Sequence, residues 1–205
     1  MQATNAVFYI AIVIMSVVIH EVSHGFVAEL FGDNTARDAG RLTLNPLKHL
    51  DVFGSIILPI LLYLSAGFTF GWAKPVPYNP NNLSNRKWGT VLVAAAGVLA
   101  NFFIAFIFGL VIRFAGPAAA SENFYFILST IVIVNIALGL FNLVPIPPLD
   151  GSKILFTLLG RPFWRAARFL ETYSLVFVVV FIAFFADRLY PLVASLFHAF
   201  TGLAL

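Results

Sequence analysis

The sequence predicts an all-α polytopic membrane protein with about five to six transmembrane segments. A re-entrant or β-hairpin-like element is expected between the first and second core helices. Composition gives the first reason, because 60% of the 205 residues are apolar and only 10% are charged. Soluble domains carry about 25% charged residues, so an ordinary soluble domain is excluded. A series of long apolar runs is the second reason, and a one-sided distribution of basic residues is the third.

The apolar runs define the expected spans, since a spanning helix needs about 20 mostly apolar residues. Four runs meet that length and two weaker ones approach it: 6–31, 89–112, 124–145 and 169–186, then 53–70 and 189–205. The run 53–70 contains Pro59 and Gly67, which disfavours a straight span. We expect a single membrane domain over 1–205, with its core at 6–160 and C-terminal helices at 169–205.

The basic residues favour a re-entrant hairpin for 53–70. If this run enters and leaves the membrane by the same face, ten of the twelve basic residues lie on one side: Arg37, Arg41, Lys48, Lys74, Arg86, Lys87, Lys153, Arg161, Arg165 and Arg168. Arg113 and Arg188 lie on the other side. This asymmetry is the positive-inside pattern. We therefore expect an external N-terminus and cytoplasmic basic loops, in the plasma membrane of a prokaryote.

Two further features of composition exclude other classes of protein. The chain has no cysteine, which excludes disulfides, zinc ribbons and thiol catalysis. The net charge of +3 does not indicate nucleic-acid binding, because the basic residues flank membrane segments. No Lys or Arg precedes the first apolar run, and that run is long, so we expect it to remain as a transmembrane helix and not to be a cleaved signal peptide.

A pair of histidines in the first apolar run indicates a metal site. The run contains His20-Glu21-Val22-Ser23-His24. An ionisable residue inside a membrane helix costs about 2.5–3.5 kcal/mol, so its presence favours a functional role. Residues four apart share a helix face, so both imidazoles can bind one ion. The pattern H-E-x-x-H is typical of zinc metalloproteases, in which the glutamate is the general base.

Catalytic zinc usually has three protein ligands, so a third ligand is expected elsewhere in the chain. The candidates are the remaining histidines and the carboxylates within or beside apolar runs: His49, His198, Glu29, Asp150 and Asp187. We favour Asp150, because prolines before it break the helix and Gly151 after it permits a sharp turn. Taken alone, Asp150-Gly151 is equally consistent with an ordinary turn.

At these residues the chain resembles the site-2 proteases, which are intramembrane zinc metalloproteases. The second motif of that family, N-x-x-P-x-x-x-x-D-G, matches at Asn142, Pro145, Asp150 and Gly151. A third pattern, G-x-x-x-N, matches from Gly97 to Asn101, although Val98 stands where the family usually has proline. The resemblance covers about residues 6–160 and is closest to the compact branch without a PDZ domain.

The resemblance implies a role for each matching residue. His20, His24 and Asp150 would bind Zn2+, and Glu21 would activate a zinc-bound water that attacks a peptide bond. Asn101 and Asn142 would bind the substrate or stabilise its oxyanion. The implied partners are a transmembrane-segment protein substrate and the lipid bilayer. We expect the segment 53–77 to capture the locally unwound substrate as an added strand.

Three alternatives to these roles stay open. Asn101 and Asn142 are equally of the type that hydrogen-bonds neighbouring membrane helices. A membrane divalent-metal transporter would carry a similar motif, but it needs ionisable residues at several depths. A non-catalytic metal-binding membrane protein would not need Glu21, since a structural zinc site is normally closed by a fourth ligand.

Overall fold

The computed structural model describes residues 2–66, 71–115 and 121–205, and it confirms the all-α class. Among these residues there is no β-strand. The α-helices are α1 (Gln2–Leu30), α2 (Thr35–Asp38), α3 (Leu58–Ala66), α4 (Arg86–Ala115), α5 (Glu122–Asn142), α6 (Asp150–Leu159), α7 (Trp164–Thr172), α8 (Ser174–Phe185) and α9 (Tyr190–Thr201).

Four helical runs are long and apolar enough to cross a membrane. They are Ala6–Leu30, Arg86–Ala115, Glu122–Asn142 and Ser174–Thr201. The first three correspond to predicted spans. A count of five or six segments stays a prediction, because the remaining apolar helix, Val52–Ser65, is shorter than a span.

Helix α4 lies at the centre of the bundle and contacts α1, α5, α6 and α9. Its buried positions are mostly small, including Ala94, Gly97, Ala105 and Gly109. Small residues allow close approach of membrane helices, whose association gains little from the hydrophobic effect in lipid. A shared apolar core formed by α4, α5 and α9 surrounds Ile136.

The predicted hairpin segment is helical over the residues that the structure describes, so the β-hairpin-like form is wrong there. A π-helical turn at Val52–Ile57 continues directly into α3. Pro59 lies just after the change from π-helical to α-helical backbone and does not interrupt the helical run. Residues 67–70, including Gly67, lie outside the described residues. Re-entry of this segment stays a prediction.

The C-terminal helices also differ from the prediction, because α8 and α9 form one run through the short helix Ala186–Leu189. Phe181 of α8 lies beside Phe141 near the end of α5. Phe200 of α9 lies beside Phe106 of α4, and Arg113 donates to the Ala199 carbonyl. The run 174–201 therefore packs along α5 and α4 as one helical run that is long and apolar enough to cross a membrane. The predicted boundary at 186 is too early because hydropathy does not report the packing of α9 on α4 and α5.

Candidate metal centre

The buried face of α1 carries both histidines. Ser16, His20, His24 and Ala28 follow one another at intervals of four, and all four are buried. This face packs against α4 at Gly97, where a Cβ would lie 2.6 Å from the Cε1 and Nε2 atoms of His20. Glycine at this position therefore makes room for the imidazole.

Asp150 reaches the same place from the other end of the sequence. The chain leaves α5 at Asn142, and α6 begins at Asp150. Gly151 makes this connection possible, because a Cβ there would collide with the carbonyl oxygen of Leu143. The Asp150 Oδ2 atom lies 3.1 Å from the Nε2 atoms of both His20 and His24. The structure thus brings together the three residues that the sequence predicted as ligands.

The second ring nitrogen of each histidine has an oxygen partner. His20 Nδ1 lies 2.5 Å from the Asn101 Oδ1 atom, and His24 Nδ1 lies 2.6 Å from the Val93 carbonyl oxygen. A carbonyl oxygen only accepts hydrogen bonds, so each Nδ1 donates, and in the neutral imidazole Nε2 is then the nitrogen available to a metal. This tautomer is the one that metal-ligating histidines adopt when the Nδ1–H group is held by an outer oxygen.

The donor set fits a zinc ion. Tetrahedral zinc with bonds of about 2.0–2.1 Å places neighbouring ligand atoms about 3.3 Å apart. Both Nε2–Oδ2 distances, at 3.1 Å, are close to that separation. His20, His24 and Asp150 are all at least nine-tenths buried, so the Asp150 carboxylate needs a cationic partner here, which a metal ion and the Lys153 ammonium group can supply.

Glu21 lies beside this cluster, on the more open side. Ligand atoms of His20, Glu21 and His24 all lie within 4.8 Å of one another. The Glu21 side chain is partly exposed, and its Oε2 atom accepts a hydrogen bond of 2.9 Å from the main-chain N–H of Val76. A carboxylate at the open edge of a buried metal centre is suited to exchange protons with water.

The two predicted substrate-binding asparagines lie in different surroundings. Asn101 is fully buried; besides facing His20, it donates to Asn135 Oδ1 at 2.7 Å. Asn142 is partly exposed and donates to the Leu138 carbonyl of its own helix at 3.0 Å. The structure does not bring them together. For Asn101 it favours the alternative use, hydrogen bonding between helices, and a substrate role for either residue stays a prediction.

Several residues of the centre were missed by the sequence analysis. Asn135 donates to Ser16 Oγ at 2.9 Å, and Lys153 donates to Asp150 Oδ1 at 3.1 Å. Asn135 is fully buried within an apolar span, and a buried amide there was a signal that sequence reading could have used. Lys153 follows Asp150 by one helical turn, the spacing of an intrahelical pair.

A helical membrane protein with an H-E-x-x-H helix and an opposed aspartate is typical of intramembrane metalloproteases. The comparisons agree with this class. The profile of Peptidase family M50 matches residues 109–185. YwhC of Bacillus subtilis is 40% identical over 182 residues, which are 85% of this chain and 80% of YwhC.

Rip2 of Mycolicibacterium smegmatis is 32% identical over 168 residues, which are 82% of this chain and 63% of Rip2. MJ0392 of Methanocaldococcus jannaschii is 26% identical over 162 residues, which are 78% of this chain and 37% of that protein. The names of all three relatives contain the words zinc metalloprotease. No solved structure matches the chain.

The chain therefore belongs to peptidase family M50, the site-2 proteases. It is a zinc metalloendopeptidase with the apolar helices of an integral membrane protein. The predicted family, enzyme class and cofactor are confirmed.

Proposed function

We propose that this protein hydrolyses a peptide bond within or next to a transmembrane segment of a substrate protein. In this proposal His20, His24 and Asp150 hold the zinc ion, and Glu21 is the general base. The observation that carries it is the meeting of the three ligand atoms, with 3.1 Å from each Nε2 to Asp150 Oδ2, beside Glu21 on a membrane-spanning helix.

The chemistry divides between the metal and Glu21. When bound, zinc supplies a Lewis acid that polarises the scissile carbonyl and lowers the pKa of water. Glu21 accepts a proton from the attacking water while the new C–O bond forms. As the C–N bond breaks, the same carboxyl group gives that proton to the leaving amine nitrogen. Asn101 and the Val93 carbonyl keep both imidazoles in the tautomer that leaves Nε2 available.

Substrate capture is proposed for the extended segment 71–79, which follows the predicted hairpin. The N–H groups of Trp72 and Lys74 donate inward, to the carbonyls of Gly54 and His49. An added strand would therefore pair with the opposite edge. Pro75 and Pro77 offer no N–H at that edge, so the substrate must supply most of the donors there.

The charge distribution supports a site that faces the cytoplasm. The proposed orientation has an external N-terminus, with the loops that follow α1 and α5 in the cytoplasm. His20 and His24 then lie in the inner half of α1. Asp150 lies just beyond the inner end of α5. Their contact is consistent with a common depth near the cytoplasmic surface, where water can reach Glu21.

The proposal is tested by cleavage of a panel of model transmembrane substrates in proteoliposomes. Wild type is compared with Glu21→Gln, and metal content is measured on both by mass spectrometry. We expect about one zinc per chain in both proteins and cleavage by wild type alone, because glutamine cannot accept the proton. Bound zinc without cleavage by wild type would contradict the proposed reaction, and zinc flux across the vesicle would then indicate transport. Absence of metal would contradict the centre itself.

A further inference from the structure

An extended stretch of chain, 72–79, lies across the face of α1 that carries Glu21. The strap, as we call these residues, has several fixed points. Lys74 donates its N–H to the His49 carbonyl at 2.8 Å, and Arg41 donates to the Lys74 carbonyl at 2.7 Å. Both His49 and Arg41 are buried. The centre of the strap is therefore held against the protein by buried donors and acceptors.

The far end of the strap is held in the same manner. Asp33, fully buried just after α1, accepts a hydrogen bond of 2.6 Å from the N–H of Asn79. Asp33 also accepts from the Asn82 side chain at 2.9 Å. With attachment points at 74 and 79, the residues between them have little freedom to move relative to α1.

Val76 lies between these attachment points and contacts α1 with both its side chain and its main chain. Its side chain is only 5% exposed and packs over Gly25, where a Cβ would lie 2.9 Å from Val76 Cγ1. Its N–H donates to Glu21 Oε2 at 2.9 Å. The side-chain contact on Gly25 thus fixes the register that aims the N–H at the carboxylate.

The local sequence leaves Val76 as the residue whose main-chain N–H can meet Glu21. Val76 stands between Pro75 and Pro77, and proline has no N–H, so Val76 carries the one donor of this tripeptide. Proline also restricts the residue before it to extended conformations. The two prolines therefore stiffen the strap around the N–H that meets Glu21.

We propose that Val76 is a positioning residue, whose main-chain N–H holds the carboxylate of Glu21 for proton transfer. The inference rests on the proposed function, in which Glu21 is the base. The hydrogen bond holds Oε2 in place and so sets the direction in which Oε1 points. It also fixes the rotation of the carboxylate before substrate binds, and such preorganisation is what positioned bases require.

A purely structural role for the same contact makes a different prediction. If the hydrogen bond only attached the strap to α1, its loss would disturb strap packing and substrate binding, and KM would change. A positioning role requires kcat to fall while KM and zinc content stay the same, because Glu21 is not one of the proposed ligands.

The test is to remove the Val76 N–H in two ways. Val76→Pro removes it genetically, and incorporation of the α-hydroxy analogue of valine replaces the amide at 76 by an ester with an unchanged side chain. Wild-type protein made by the same incorporation procedure, with valine at 76, is the matched control, because it differs from the ester variant only in the main-chain group of residue 76. Cleavage of a model transmembrane substrate gives kcat and KM for each full-length protein in proteoliposomes, and zinc is measured on the same samples.

We expect kcat of the proline and ester variants to fall about tenfold to a hundredfold, as for loss of a hydrogen bond to a charged group. KM and zinc content should stay within about twofold of wild type. The proposal is overturned if the ester variant keeps the kcat of wild type, whatever the proline variant does. Failure of wild type to cleave would instead overturn the role of Glu21, and this inference with it.

Discussion

At the scale of single residues, the two histidines are oriented by oxygens of different kinds. His20 faces the side-chain amide of Asn101, whereas His24 faces the main-chain carbonyl of Val93. The second contact persists whatever side chain stands at 93. The first depends on one amide, which is itself held by Asn135. A point mutation can therefore remove the hydrogen bond that sets the tautomer of His20, but not the one that sets the tautomer of His24.

We expect Asn101→Ala to weaken zinc binding about tenfold to a hundredfold, the usual cost of losing the outer partner of a ligating histidine. Asn101→Asp keeps an acceptor oxygen for His20 but loses the donor to Asn135 Oδ1, so it should restore only part of the affinity. Competition with a chromogenic chelator measures the dissociation constant in detergent. Asn142→Ala is the control, since that amide bonds only its own helix among the described contacts. Equal affinities for Asn101→Ala and wild type would contradict the orienting role.

The residues of the centre differ in how far the sequence could predict them. His20, His24 and Asp150 were predicted, because imidazole and carboxylate groups are rare in apolar runs and their spacing has a geometric meaning. The Val76 N–H and the Val93 carbonyl were not, because every residue except proline has the same two main-chain groups. Only packing decides which of them reach the site, and the sequence does not report that packing.

At the scale of elements, Asp33 joins the loop after α1 to the loop before α4. Burial alone would raise the pKa of this carboxyl group. Hydrogen bonds from Thr35, Asn79 and Asn82 outweigh that effect, so the pKa of Asp33 lies below its usual value. A carboxylate with a lowered pKa stabilises the fold above the pKa of the unfolded chain. That stability is lost as the pH falls through the folded-state pKa.

We expect Asp33→Asn to lower the free energy of unfolding by about 1.5–3 kcal/mol at neutral pH, the value of hydrogen bonds to a charged group. The difference from wild type should shrink as the pH falls below about 4, where the aspartate of the unfolded chain is protonated. This difference in stability is measured by thermal unfolding of chelator-treated wild type and Asp33→Asn in detergent at several pH values. Asp38→Asn, in the exposed part of the same loop, should have little effect. A pH-independent difference would contradict the role of the ionised carboxylate.

Hydropathy predicted the elements better than their ends. The runs 6–31, 89–112 and 124–145 each overlap a long helix of the structure, because a membrane helix needs an uninterrupted apolar stretch. The single run from α8 through α9 was missed, since Asp187 and Arg188 interrupt its hydropathy. These two charges lie in the short helix Ala186–Leu189 and are exposed.

At the scale of the whole molecule, one topological question separates the two possible arrangements of the basic loops. If the helical segment from Val52 to Ala66 re-enters, the loops before and after it share one side of the membrane. If it spans, those loops lie on opposite sides and the charge asymmetry is lost. The hydrogen bonds that Asn79 and Asn82 donate to Asp33 join the two loops directly. That contact supports re-entry, because groups on opposite faces of a membrane cannot bond.

The absence of cysteine from the chain makes this question testable with three matched substitutions. Asn34→Cys lies before the segment, Asn81→Cys lies after it, and Asn123→Cys lies near the start of α5; all three positions are exposed. In intact spheroplasts, a membrane-impermeant maleimide should label only Asn123→Cys. After permeabilisation it should label all three, because the lipid no longer shields the cytoplasmic loops. Labelling of exactly one of Asn34→Cys and Asn81→Cys in intact cells would mean that the segment spans. Labelling of both, but not of Asn123→Cys, would reverse the orientation and place the metal centre towards the outside.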